Sequence, residues 1–203
     1  MAKSKKEEGK SILDKYPSVK NREVENVKRF SSQSIAIDKA LGGGYPRGRV
    51  IEVYGPESSG KTTICLQALA EINRNKKRVA YVDTEHSYEP IYAESIGVVP
   101  ELFHLVQPDS AEDALQTMVA MAESGECSAV VLDSVAALVP TAELNGEVGD
   151  STIGLVARFM NQTLRKITGP ASKTETTIFF INQLRDRVGV MFGSPETTAW
   201  GKG

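Results

Sequence analysis

GPESSGKT, residues 55–62, meets the phosphate-binding pattern G-x-x-x-x-G-K-[ST] at every required position. Each residue type has a physical task. Gly55 and Gly60 let the backbone curl into a concave nest of N–H groups, Lys61 carries a cation to the outer phosphates, and the Thr62 hydroxyl is a ligand for Mg2+. Pro56, Glu57, Ser58, Ser59 and the following Thr63 complete the predicted nucleotide contact. The flanks agree with this reading rather than with a Gly-Ser surface loop. The β-branched run Arg49–Tyr54 (RVIEVY) predicts a strand leading in, and Thr62–Ile72 sets Ile64, Leu66, Ala68, Leu69 and Ile72 mostly on one face of a helix leading out.

Of the 203 residues, 40% are hydrophobic and 25% charged, which is enough for a real core in a globular protein of one main domain. A net charge of -2 and a pI near 5.8 exclude a uniformly basic nucleic-acid binder, so any DNA contact must come from a local patch. Cys65 and Cys127 make no disulfide framework, and neither a signal peptide nor a long apolar span is present. The expectation is a cytoplasmic protein with no membrane partner.

Residues 1–30 read as a charged tail (MAKSKKEEG) followed by a short helix or an arm that packs on a partner. From residue 31 onward a single α/β core is expected. Ser34–Leu41 predicts a helix with Ser34 as its N-cap and Gly42–Gly44 as its stop. Apolar runs at Val50–Tyr54, Val79–Val82, Leu102–Val106, Val130–Leu132 and Thr177–Ile181 then alternate with helical patterns at Thr62–Arg74, Tyr88–Ile96, Ala111–Glu123 and Thr152–Ile167. This alternation predicts a mainly parallel sheet flanked by crossover helices.

Polar groups follow each strand: the phosphate loop, then Asp83 and Glu85, Gln107 and Asp109, Asp133 and Ser134, Asn182 and Gln183. In an open parallel sheet these ends share the edge where ligands bind. Asp133, closing the run AVVLD, suits a carboxylate that holds Mg2+ opposite Thr62. Glu85 is the candidate for activating the attacking water, with Asp83 as its rival. Gln183 carries an amide that can sense a γ-phosphate and pass the signal to the segment beyond it. His86 and His104 lack metal-ligand spacing and read as structural or surface residues.

Two glycine-bearing segments, Glu143–Gly154 and Arg185–Gly203, are expected to move. The second holds Val188, Val190, Met191, Phe192 and Trp200 in no burying period, with Arg185, Arg187 and Lys202 available to phosphates. Such a loop suits stacking on single-stranded bases.

GPESSGKTT, VDTEH followed by PIYA, VLDSVAAL, GEVGD, FINQLRDRVGVMFG and SPETT, in this order and spacing from about Ser31 to Thr198, resemble the bacterial RecA recombinases. The resemblance implies a P-loop NTPase core, ATP and Mg2+ as cofactors, and a helical filament formed by self-association on single-stranded DNA. It also implies double-stranded DNA as a pairing partner, strand exchange, DNA repair, and SOS induction through a LexA-type repressor. On matching positions it implies that Lys61 and Thr62 bind phosphate and metal, Glu85 activates water, Tyr92 stacks near adenine, Asp133 supports the metal and Gln183 senses the γ-phosphate. It places Ile153 in a first DNA loop, Arg185, Arg187, Val188 and Gly189 in a second, and Arg158 and Arg165 near the DNA backbone.

Two departures bear on activity. The arm before Ser31 is shorter than the family's N-terminal helix region, and after Thr198 the chain reads AWGKG where the family continues with further core strands and a C-terminal domain. The expectation is therefore a C-terminally truncated core. Two functions follow: a DNA-dependent ATPase and recombinase once completed, or a truncated paralogue or fragment that binds nucleotide or a full-length partner without catalysing strand exchange. A P-loop kinase is the weaker third, because no second-substrate lid is apparent.

Overall fold

The computed structural model describes residues 27–146, 154–186 and 196–197. The chain enters through β1 (Arg29–Phe30), α1 (Ile35–Ala40) and β2 (Tyr45–Pro46), and β1 pairs antiparallel with β2. Gly44 makes the close return possible. Its φ is +101°, and a Cβ there would lie 2.2 Å from the Phe30 carbonyl oxygen. The pairing is fixed to the sheet by aromatic edges, with Phe30 and Tyr45 meeting the Phe179 ring at 6.5 and 5.1 Å. α1 starts as expected after Ser34, but the Ser34 side chain caps nothing. Asp38 takes over the polar work, accepting from Ser31 Oγ at 2.6 Å, Ser32 N at 2.7 Å and Ser32 Oγ at 2.6 Å.

The core follows in the order β3 (Val50–Gly55), α2 (Lys61–Arg74), β4 (Val79–Asp83), α3 (Pro90–Ile96), β5 (Phe103–Val106), α4 (Ala111–Ser124), β6 (Ala129–Asp133), α5 (Thr141–Leu144), α6 (Leu155–Thr174) and β7 (Thr177–Gln183). Five strands form one parallel sheet in the spatial order β3-β7-β6-β4-β5. β8 (Arg185–Asp186) and β9 (Glu196–Thr197) form a separate antiparallel ribbon.

Helices cover both faces of the sheet, which is why its central strands read as unbroken apolar runs. Successive side chains alternate between two cores. Val79, Tyr81, Ala129, Val131, Phe179 and Ile181 pack with Cys65, Leu66, Leu69 and Ile72 of α2. Ala80, Val82, Val130, Leu132, Ile178 and Phe180 pack with Leu115 and Met118 of α4 and with Met160 and Ile167 of α6. Both cysteines are buried and free.

Two predicted helices differ from the observed bounds by two residues or more, the others by one. α3 begins at Pro90, not Tyr88, whose ring instead stacks on Phe103 at 5.0 Å. α6 runs on through Pro170 to Thr174, although an interior proline lacks the N–H of one helical bond and costs about 3 kcal/mol or more. Packing offsets that cost: Ala171 is fully buried in the α4–α6 core, and Thr174 Oγ1 donates to the Ala122 carbonyl at 3.0 Å.

Candidate nucleotide site

The carboxyl ends of β3, β7, β6 and β4 meet at a cavity of about 470 Å3. Its walls are the loop from Glu57 to Thr63 on one side and Glu85, Asp133, Ser134, Ile181 and Gln183 on the other. The loop has the expected nest shape. Ser58 and Gly60 take φ of +55° and +85°, turning successive peptide groups towards a common centre. Gly55 is buried, and a Cβ on it would fall 2.9 Å from Ser59 Oγ. Ser59 Oγ donates to the Pro56 carbonyl at 2.8 Å, and Lys61 Nζ donates to the carbonyls of Gly55 and Pro56 at 3.2 and 2.6 Å. Glu57 and Ser58 are exposed at the rim, and Gly60 opens α2, whose N-terminus faces the cavity.

Opposite the loop, Asp133 Oδ2 accepts from Thr62 Oγ1 and from Tyr81 OH, each at 2.6 Å. Burial pushes the Asp133 carboxyl above its ordinary range, against the two hydroxyls, which favour the charged form; Glu85 and Asp83 add a further upward push. The Tyr81 phenol is pushed up by burial and by Asp133 itself, so it is a donor at neutral pH. One carboxylate and one hydroxyl beside a phosphate nest fit Mg2+, which usually takes one or two protein ligands plus phosphate oxygens and water. No cluster of three or more His, Cys, Asp or Glu suited to holding a metal occurs among the described residues.

Glu85 is exposed on the loop after β4 and accepts a hydrogen bond from Ser134 Oγ. That loop is tied to the end of β6, since Thr84 N and Thr84 Oγ1 donate to the Asp133 carbonyl at 2.8 and 3.0 Å. Asp83, the rival for water activation, is corrected here. It is fully buried, and its carboxylate is taken up by Ser87 N at 3.2 Å, Tyr88 N at 3.1 Å and Gln107 Nε2 at 3.1 Å. It shapes the loop that carries Glu85 and has no access to a substrate water. Asp109 is exposed beyond the edge strand β5 and is not among the cavity residues.

Gln183 ends β7 in register with Gly55, and the next residue donates Leu184 N to the Gly55 carbonyl at 3.2 Å. The phosphate loop and the segment leaving the sheet thus share a hydrogen bond. Tyr92, 41% exposed on α3, shares a 2.7 Å hydrogen bond with the Thr63 hydroxyl and so stands beside the end of the loop. Arg158 and Arg165 are both exposed, two turns apart along α6. Only the backbone of Arg185 is described, paired with Thr197. Ile153, Arg187, Val188, Gly189, Trp200 and Lys202 lie outside the described residues.

Sequence reasoning passed over Tyr81 and the Glu52–Asn182 pair, in which Asn182 Nδ2 donates to Glu52 Oε1 at 2.9 Å. The available signal for Tyr81 was a polar-tipped aromatic inside VAYVD, a strand buried on both faces, where a phenol needs a partner.

The RecA N-terminal domain family matches residues 1–203. Among curated relatives, Protein RecA of Halalkalibacterium halodurans is 55% identical over 179 residues, 88% of this chain and 51% of the relative. Protein RecA of Staphylococcus epidermidis is 51% identical over 195 residues, 96% of this chain and 55% of the relative. The chain spans about half the length of these relatives. Among solved structures, the crystal structure of the RadB recombinase aligns with a TM-score of 0.60 at 27% identity, covering 80% of this chain and 74% of that one.

Proposed function

The chain belongs to the RecA family, and on that premise we propose that it binds ATP with Mg2+ and acts in DNA recombination and repair as a DNA-dependent ATPase. The observation that carries this reading is the convergence of Lys61, Thr62, Asp133, Glu85 and Gln183 on one cavity at the sheet's carboxyl edge. Lys61 and the loop N–H groups receive the phosphates. Thr62 and Asp133 would hold Mg2+, which would neutralise charge on the bound phosphates. Glu85, held by the Ser134 hydroxyl, orients a water and takes its proton as that water attacks the γ-phosphorus, while the bond from that phosphorus to the β–γ bridging oxygen breaks and ADP leaves with its electron pair. Tyr92 offers its ring to the adenine, and Gln183 reads the γ-phosphate. Gln183 precedes the bond from Leu184 N to Gly55, so a change in the loop passes directly into residues 185 onward.

Family membership supports the finer reading: filament formation on single-stranded DNA, homologous pairing with double-stranded DNA, strand exchange, and SOS induction through a LexA-type repressor in the cytoplasm. Ile153, Arg158, Arg165, Arg185, Arg187, Val188 and Gly189 are the proposed DNA contacts. No helix among the described residues is long and apolar enough to cross a membrane. A second reading is that the chain binds nucleotide or a fuller partner without catalysing strand exchange.

The test is calorimetric ATP binding together with hydrolysis measured with and without single-stranded DNA. Lys61→Ala removes a charge-assisted contact worth about 1.5–3 kcal/mol, so ATP affinity falls roughly 10- to 100-fold with the fold retained. Unchanged affinity sinks the nucleotide assignment. Binding without DNA-stimulated turnover selects the second reading.

A further inference from the structure

The Tyr81 hydroxyl has no part in the reading above, yet it touches the metal carboxylate. Tyr81 is 1% exposed in β4. Its ring is packed by Tyr88 at 5.6 Å and Phe103 at 6.0 Å, which hold the phenol in one direction. That direction leads to Asp133 on the neighbouring strand β6, where the Tyr81 hydroxyl and the Thr62 hydroxyl converge on the single oxygen Oδ2. A phenylalanine would fill the same core, and burying a phenol is unfavourable unless it is hydrogen-bonded, so packing alone does not account for the oxygen.

We infer that Tyr81 is a positioning residue for Mg2+, its buried hydroxyl fixing the Asp133 carboxylate while the Thr62 hydroxyl is released from Oδ2 to ligate metal. The two donors differ in what they can do next. Thr62 lines the cavity and can turn towards an ion, whereas Tyr81 is buried and is not among the cavity's lining residues. Without it, the exchange at Thr62 would leave Oδ2 with neither of its two hydroxyl donors. Partners of this kind behind a metal ligand typically change metal affinity 10- to 100-fold when removed.

The inference rests on the proposed nucleotide site, and the two fail differently. ATP affinity is measured by calorimetry in excess Mg2+ and in EDTA, for the wild-type chain and for Tyr81→Phe, with folding checked by circular dichroism. The expected result is an unchanged affinity in EDTA and a gain from Mg2+ about 10-fold smaller in the variant. Equal gains in both proteins overturn the role of Tyr81, whereas absence of ATP binding by the wild type overturns the site itself. Should Tyr81→Phe fail to fold, 3-fluorotyrosine placed at position 81 keeps the ring and the hydroxyl. Its 19F resonance is expected to shift when Mg2+ is added to the ATP complex, and an unmoved resonance rejects the inference.

Discussion

Asp83→Asn tests whether the buried Asp83 carboxylate is structural and the exposed Glu85 is the one that activates water. Ser87 N reaches Oδ1 of Asp83, while Tyr88 N and Gln107 Nε2 reach Oδ2. An asparagine keeps one carbonyl oxygen, so whichever way its amide turns, its NH2 group faces at least one backbone N–H. Each donor stranded in this buried position costs about 1–3 kcal/mol. Relief of the repulsion between Asp83 and Asp133 returns part of that, leaving a net loss of about 2 kcal/mol. For a chain of this size such a loss lowers Tm by roughly 4–8 °C. Thermal and urea unfolding followed by circular dichroism reads the loss, and ATP turnover on the same preparation is expected to stay within a few-fold, through displacement of Glu85 alone. An Asp83→Asn protein that melts with the wild type but has lost hydrolysis by about 100-fold would refute the assignment and make Asp83 the group that activates water.

Glu85→Gln is expected to spare ATP binding and to slow hydrolysis by about 100-fold or more, read as a single-turnover rate; equal rates would move the role elsewhere. Alanine at both Arg158 and Arg165 is expected to reduce the log-log salt dependence of single-strand binding by roughly 0.7 for each phosphate left without its cation, read by fluorescence anisotropy at several ionic strengths. A slope indifferent to both changes would put the DNA path off α6. Burial raises the Glu52 carboxyl above its ordinary value, with the Asn182 hydrogen bond acting against it. The folded state therefore binds that proton more tightly than the unfolded state. The stability it supplies is complete below about pH 4.5 and is lost as pH rises through the raised value. Glu52→Gln keeps an oxygen for Asn182, so this part of the Tm decline above pH 4.5 is expected to disappear; an unaltered profile would show that Glu52 carries no such linkage.

The strands and crossover helices were legible because a sheet covered on both faces writes itself as alternating apolar runs and helical periods, and the phosphate loop because its glycines and lysine have no other common arrangement. Which of the two carboxylates is buried was not legible. Asp83 and Glu85 are separated by one residue and look equivalent in sequence, and only the turn at Ser87–Tyr88 and the side chain of Gln107 bury the first and leave the second exposed. Pro170 hid the last two turns of α6, since the packing that outweighs it comes from α4, nearly fifty residues earlier. The short helix α1 was visible, but not the tie from its Asp38 back to Ser31 and Ser32, which holds the preceding turn while Ser34 caps nothing.

The position of β7 between β3 and β6 has a consequence for how the protein is made. Among the described residues, the strand that carries the phosphate loop pairs only with β7, about 130 residues further along the chain. At typical elongation rates of 5–20 residues per second, that partner leaves the ribosome roughly 6–25 s after β3 does. In that interval β4, β5 and β6 can pair among themselves, but β3 cannot join them, and the loop lacks the bond from Leu184 that anchors Gly55. The phosphate loop is thus made long before the strand that closes its cavity, so a nascent chain interrupted before β7 carries the complete phosphate motif without a pocket to use it.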